Sequence, residues 1–127
     1  MLTKANTITM LPVHDADRAG KFYGETLGLH EVRPDPEGSR TFEVGGGNAI
    51  ALRVLPDARP SENTALSFEV ADIAAEVSDL GRRGVTFLDY DTPNFRTENH
   101  VATMGSEKAA WFQDSEGNYL CLHQGGS

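Results

Sequence analysis

Apolar and polar side chains alternate from Asn6 to Val13, and the run carries Ile, Thr and Val. That pattern predicts a strand, which Asp15 closes as the N-cap of a helix. From Ala16 the period changes: Ala19, Phe22, Tyr23 and Leu27 recur at helical spacing, and Gly28 supplies a stop after about three turns. Strand character returns over residues 29–33, Asp35-Pro36-Glu37-Gly38 predicts a turn, and residues 40–44 with 49–54 predict a hairpin. The segment 6–55 therefore reads βαβββ. Residues 56–63, with Pro56 and Pro60 among polar neighbours, read as a linker.

The pattern then restarts. Residues 64–70 predict a strand and Asp72 a second N-cap. Ile73, Val77 and Leu80 form a helical stripe ending near Gly81 and Gly84, and 85–89 predicts a further strand. The chain closes on WFQDSEGNYLCLH, Trp111 to His123, a strand, a Gly-Asn turn and a strand. At an offset of 57, Leu11, Val13 and Asp15 fall on Phe68, Val70 and Asp72. At an offset of 70, Phe42, Gly47, Asn48, Ala51 and Leu52 fall on Phe112, Gly117, Asn118, Cys121 and Leu122. The difference of 13 is an insertion within 90–108, expected as an irregular, lid-like loop.

Composition narrows the reading. A chain of 127 residues, 39% hydrophobic and 24% charged, suits one globular domain. A formal charge of -8 argues against nucleic acid and leaves solvation or a cationic ligand as its meaning. No apolar stretch is long enough to span a bilayer or to act as a secretory signal, so no membrane association and a cytoplasmic location are expected. The single Cys121 excludes an intrachain disulfide and a cysteine-based zinc site. Gly45-Gly46-Gly47 joins strand to strand and lacks the helix N-terminus of a phosphate loop. The four histidines show no i, i+4 pair.

The capped helix, FYGETLGLHEV, FEVADIAAEVSDLGRRGV and AWFQDSEGNYL together resemble the vicinal oxygen chelate superfamily, the group of glyoxalase I, extradiol dioxygenases, fosfomycin-resistance enzymes and bleomycin-resistance proteins. The resemblance covers nearly the whole chain. It implies an α+β fold of two tandem βαβββ modules, an open eight-stranded barrel-like sheet around a cleft, usually in a homodimer. Enzymes of this group hold a divalent metal with four side chains from the first and last strands of each module. The matching positions here are Ile8, Ala51, Ala65 and Cys121, which lack the usual oxygen and nitrogen donors. The closer likeness is to the bleomycin-resistance branch, which has no metal and sequesters a drug. No cofactor, no catalytic residue and no metal ligand is assigned, and the implied partner is a small cationic or aromatic molecule.

Strand alternation places Met10, Arg53, Ser67, Glu69, Tyr119 and His123 in phase with those four positions, facing the cleft. Leu11, Val13, Ile50, Leu52, Leu66, Phe68, Leu120 and Leu122 fall on the core face. Arg53, Ser67, Glu69, Tyr119 and His123 are the convergent polar groups expected to orient a ligand. Glu69 and Arg53 also suit a partly buried ion pair, and His123 a structural contact. Cys121 reads either as a thiolate or as a small buried side chain. Trp111 and Phe112 lie on opposite faces; the expected register turns Phe112 inward with Tyr119, and a one-residue slip exchanges them. Phe95 and His100 are ligand candidates on the insertion. The rival readings are a lyase, isomerase or dioxygenase with a relocated metal or acid-base site, and a ligand-sensing accessory protein.

Overall fold

The computed structural model describes residues 1–32 and 38–126. Arg33 and, Gly38 apart, the turn expected at Asp35-Pro36-Glu37-Gly38 lie outside them. The chain divides into two compact units, Met1–Pro60 and Ser61–Ser127. Their boundary falls inside the Pro-containing linker.

In the first unit, strand β1 (Ile8–Val13) leads into helix α1 (Ala16–Lys21). Asp15 Oδ1 accepts the backbone N–H of Arg18 at 3.0 Å, as its N-cap role requires. The helix then widens into a π-helical turn, Phe22–Thr26, instead of running on as α-helix. β2 (His30–Glu31) starts one residue later than expected, because the N–H of Leu29 bonds the Tyr23 carbonyl at 3.0 Å and is consumed in closing the helix. β3 (Arg40–Val44) and β4 (Asn48–Val54) form the hairpin. The sheet order is β1-β4-β3-β2, with β1 and β4 parallel. Leu11, Val13, Ile50, Leu52 and Phe42 are buried on one face with Ala19 and Tyr23 of the helical segment.

The second unit repeats this plan through β5 (Thr64–Glu69), α2 (Ile73–Arg82), β6 (Phe87–Leu88), β10 (Glu107–Gln113) and β11 (Tyr119–Gln124). Asp72 caps α2 by accepting the Ala75 N–H at 3.1 Å. The equivalence extends to register. Leu11 pairs with Leu52, and their counterparts Phe68 and Leu122 pair in turn; Gly47 and Gly117 both turn their hairpins at positive φ, +80° and +90°. β6 starts later than expected because the Val85 N–H bonds the Leu80 carbonyl at 3.0 Å.

Residues 90–108 are not an irregular loop. They form β7 (Asp91–Thr92), β8 (Phe95–Glu98), β9 (Val101–Met104) and the start of β10, a meander joined by the two-residue turns Pro93-Asn94, Asn99-His100 and Gly105-Ser106. The second sheet consequently runs β5-β11-β10-β9-β8-β7, with β6 sharing the outer edge of β10. β6 takes its Trp111–Phe112 end and β9 its Glu107–Ala109 end. No helix of the described residues is long and apolar enough to cross a membrane.

Candidate functional site

Register decides which side chains share a face, since residues directly opposite across antiparallel or parallel partners point the same way. In the second unit one row across the sheet is Ser67, Cys121, Trp111 and Leu88; the next is Glu69, His123, Ala109, Ala102 and Thr97. Tyr119 stands opposite Gln113 on the same side. The other face carries Phe112, Leu120 and Leu122, buried against α2.

This corrects the expected register. Trp111, not Phe112, lies with Tyr119 and Cys121. Phe112 is fully buried, edge-on to Phe87 with centroids 5.5 Å apart, and belongs to the core. It corresponds to Phe42, which is equally buried.

Trp111 is the hub of an aromatic cluster. Its centroid lies 5.9 Å from Tyr90 and 5.3 Å from Phe95, which are themselves 5.3 Å apart, all edge-to-face as ring quadrupoles prefer. Phe95 thus reaches this face from the inserted meander. Tyr90 escaped the sequence reading; the signal was the Pro93-Asn94 turn, which announces a hairpin and so folds Phe95 back beside Tyr90. His100 goes elsewhere. It stacks on Phe87 at 5.7 Å and bonds Asp89 through Nδ1 at 2.9 Å, on the α2 side of the sheet.

The polar end of the face is a line of three groups. His123 Nδ1 meets Glu69, and Nε2 meets Glu107 Oε1 at 3.0 Å. Only the imidazolium donates from both nitrogens, so the two carboxylates favour the charged ring. The hydrogen bond with Glu69 first, then its charge and the contacts of Glu107, raise the His123 pKa above the usual histidine value, against a smaller opposing effect of burial. Glu107 was invisible from sequence because the register of β10 depends on the meander. Glu69 is thus met by a histidine of its own unit.

Cys121 is 6% exposed, and its Sγ donates to the Leu122 carbonyl at 3.3 Å. Burial pushes its thiol up, only partly offset by hydrogen bonds involving Ser67 and the Ala110 backbone. That is the environment of a quiescent thiol, not a nucleophile. In the first unit Met10, Ala51 and Thr41 form the equivalent row, and Pro12 opposes Arg53. Met10 is 52% and Ile8 61% exposed. Arg53 is exposed and lines a small hollow of about 170 Å³ with Ser39 and Val54.

A divalent metal of the kind the resemblance implies does not fit this donor set. Ile8, Ala51 and Ala65 offer no donor atom, and Cys121 offers a thiol held protonated. Glu69 and Glu107 address opposite nitrogens of His123, so these three groups do not converge. Among the described residues no group of three or more His, Cys, Asp or Glu is assembled for a metal ion.

Comparison with known proteins places this geometry. The family model "Glyoxalase/Bleomycin resistance protein/Dioxygenase superfamily" matches residues 6–122. No curated protein matches the sequence. Among solved structures, a member of the same superfamily from Sphaerobacter thermophilus is 26% identical over 98% of this chain and 100% of its own, with a TM-score of 0.75. TnmS3, an antibiotic binding protein from Streptomyces sp. CB03234, is 25% identical over 100% and 99%, with a TM-score of 0.70. A lactoylglutathione lyase from Agrobacterium tumefaciens shares the fold at 20% identity, covering 98% and 96%, with a TM-score of 0.65.

Proposed function

The chain belongs to the glyoxalase/bleomycin resistance protein/dioxygenase superfamily, and from that premise we propose that it binds and sequesters a small natural product without metal. The observation that carries this reading is the identity of four side chains. Where the enzymes it resembles place metal ligands, this chain has Ile8, Ala51, Ala65 and Cys121. The Trp111–Tyr90–Phe95 cluster supplies aromatic surface for a planar ligand, and Glu69, Glu107 and the acidic balance of the molecule favour a cationic one. The antibiotic-binding TnmS3, a structural relative of comparable length, supports the same class of ligand. We further propose a homodimer, which would cover the exposed apolar side chains Ile8 and Met10.

Calorimetry against bleomycin-type, enediyne and other aromatic antibiotics tests this reading. Stoichiometric binding is expected, and Ala65→Trp, at an exposed position on the Cys121 side of β5, should abolish it. Undiminished affinity in a folded Ala65→Trp protein would mean that the ligand uses another face. Metal analysis after loading with divalent ions should return a substoichiometric amount; one tightly held ion per chain would sink the proposal.

A second reading, acid–base chemistry of a lyase or isomerase kind, is favoured by one observation, the Glu69–His123–Glu107 line. A charged His123 is a proton donor. Turnover that disappears in His123→Gln while antibiotic binding persists would establish it.

A further inference from the structure

Helix α2 is too narrow to cover the sheet beneath it. It packs on β10 and β11, while β9 and β8 continue the sheet past its flank. A helix about 10 Å across spans roughly two strands at about 4.8 Å spacing, so the strip beside it stays open. That strip is a trough of about 680 Å³, floored by Val77, Val85, Phe87 and Val101. It lies on the face opposite Trp111 and Cys121, because Phe87 opposes Phe112 and Lys108 opposes Thr103 in register. Its volume is within the range of about 300–1,000 Å³ typical of small-molecule sites.

The charge around the trough runs against that of its surroundings. Residues 61–127 contain four Lys and Arg against eleven Asp and Glu. Two of the four cations, Arg82 and Lys108, line the trough, with one of the eleven carboxylates, Glu98. Arg82 is engaged by Ser78 at 3.0 Å and Asp79 at 3.5 Å. The side chain of Lys108 makes no hydrogen bond or ion pair among the described residues. At the same trough His100 lies nearly parallel to Phe87, at 25°, anchored through Nδ1 by Asp89. It does so from the left-handed backbone region, φ 72° after Asn99 at 52°, where glycine is the residue that fits without cost. The two-residue turn between β8 and β9 requires that conformation, and it leaves the His100 ring laid on Phe87 in the same trough as Lys108.

We propose that this trough is a second binding site, for small molecules that join a flat apolar body to a single carboxylate. The body lies over Val77, Val101 and the His100 ring that covers Phe87, and the carboxylate meets Lys108. The site is independent of the face described under the proposed function, and nothing in it requires that reading.

The test is an amide-resolved NMR titration of the full chain with 2-naphthoate and with 2-naphthamide, which has the same body without the charge. Saturable shifts are expected at Val77, Gly81, Val101 and Thr103, with the amide binding about tenfold more weakly. Lys108→Met should remove that difference, and Ala74→Trp, at an exposed lining position of α2, should block both probes. Shifts confined to residues 119–123 and Trp111, equal affinity of the two probes for the wild-type protein, or undiminished binding in a folded Ala74→Trp variant would each overturn the proposal. So would the absence of saturable shifts up to about 1 mM probe.

Discussion

Gly20 owes its place in α1 to a guanidinium. A Cβ there would stand 2.1 Å from Cζ and Nη1 of Arg40. Arg40 in turn donates from Nε and Nη2 to the two carboxylate oxygens of Glu31, at 2.7 Å each, and from Nη1 to the Ala16 carbonyl at 3.1 Å. The hydrogen bond from Arg40 is the main reason that Glu31 sits below the usual carboxylate range. In an ordinary helix Gly→Ala gains about 1 kcal/mol. Here Gly20→Ala must displace Arg40, and the charged hydrogen bonds at risk are worth about 1.5–3 kcal/mol, toward the lower end because both side chains keep some solvent contact. A net loss of about 1 kcal/mol is expected in urea unfolding. In an Arg40→Ala background the same substitution should become stabilising, and a loss of equal size there would refute the role given to Arg40.

His123 makes a pH prediction at the same scale. Its folded pKa is raised, chiefly by the hydrogen bond to Glu69. The stabilisation it brings is therefore complete below the unfolded value of about 6.5 and is lost as pH rises through the folded pKa. Unfolding of the wild type against His123→Gln, followed from about pH 6 to pH 9, should show the wild-type advantage shrinking with increasing pH. An advantage that grows over that interval would mean the ring is not held as a cation.

Among the elements, the β10–β11 hairpin shows why its turn has the sequence it has. Asp114 Oδ1 accepts the N–H groups of Glu116 and Asn118, both at 2.8 Å, and Oδ2 accepts from Asn118 Nδ2 at 2.9 Å. Gly117 takes φ +90° between them. Asp114 and Asn118 are 7% and 2% exposed, so the donors have little water to fall back on. Asp114→Ala should destabilise by about 3 kcal/mol or more, read as a fall in thermal midpoint, because it leaves buried donors unsatisfied. Much of this was legible in advance: Asp, Gly and Asn at those spacings are turn residues whatever surrounds them. The meander of β7 to β9 was not read from the sequence, although Pro93-Asn94, Asn99-His100 and Gly105-Ser106 each mark a two-residue turn. Its strands are short and mostly polar, so hydrophobic alternation, the signal that found the other strands, is faint there.

For the whole molecule, the sequence by itself determined the repeat. Offsets of 57 and 70 matched Leu11 with Phe68 and Leu52 with Leu122 as equivalent core-face positions, and the sheets then pair Leu11 with Leu52 and Phe68 with Leu122, because the period of two fixes which residues can share a buried face. It also determined the absence of donors at Ile8, Ala51 and Ala65, since side-chain chemistry needs no coordinates. Only the tertiary structure decided that Trp111 and not Phe112 stands beside Cys121. A one-residue slip inverts a strand, and the constraint that prevents it here is the pairing of Phe112 with Phe87 and Leu120 across three strands. Tertiary structure likewise brought Glu107 to His123 and opened the trough beside α2, because both depend on how far the second sheet extends beyond the helix. Local pattern reports which face of a strand is apolar; strand neighbours set apart in sequence report what that face meets.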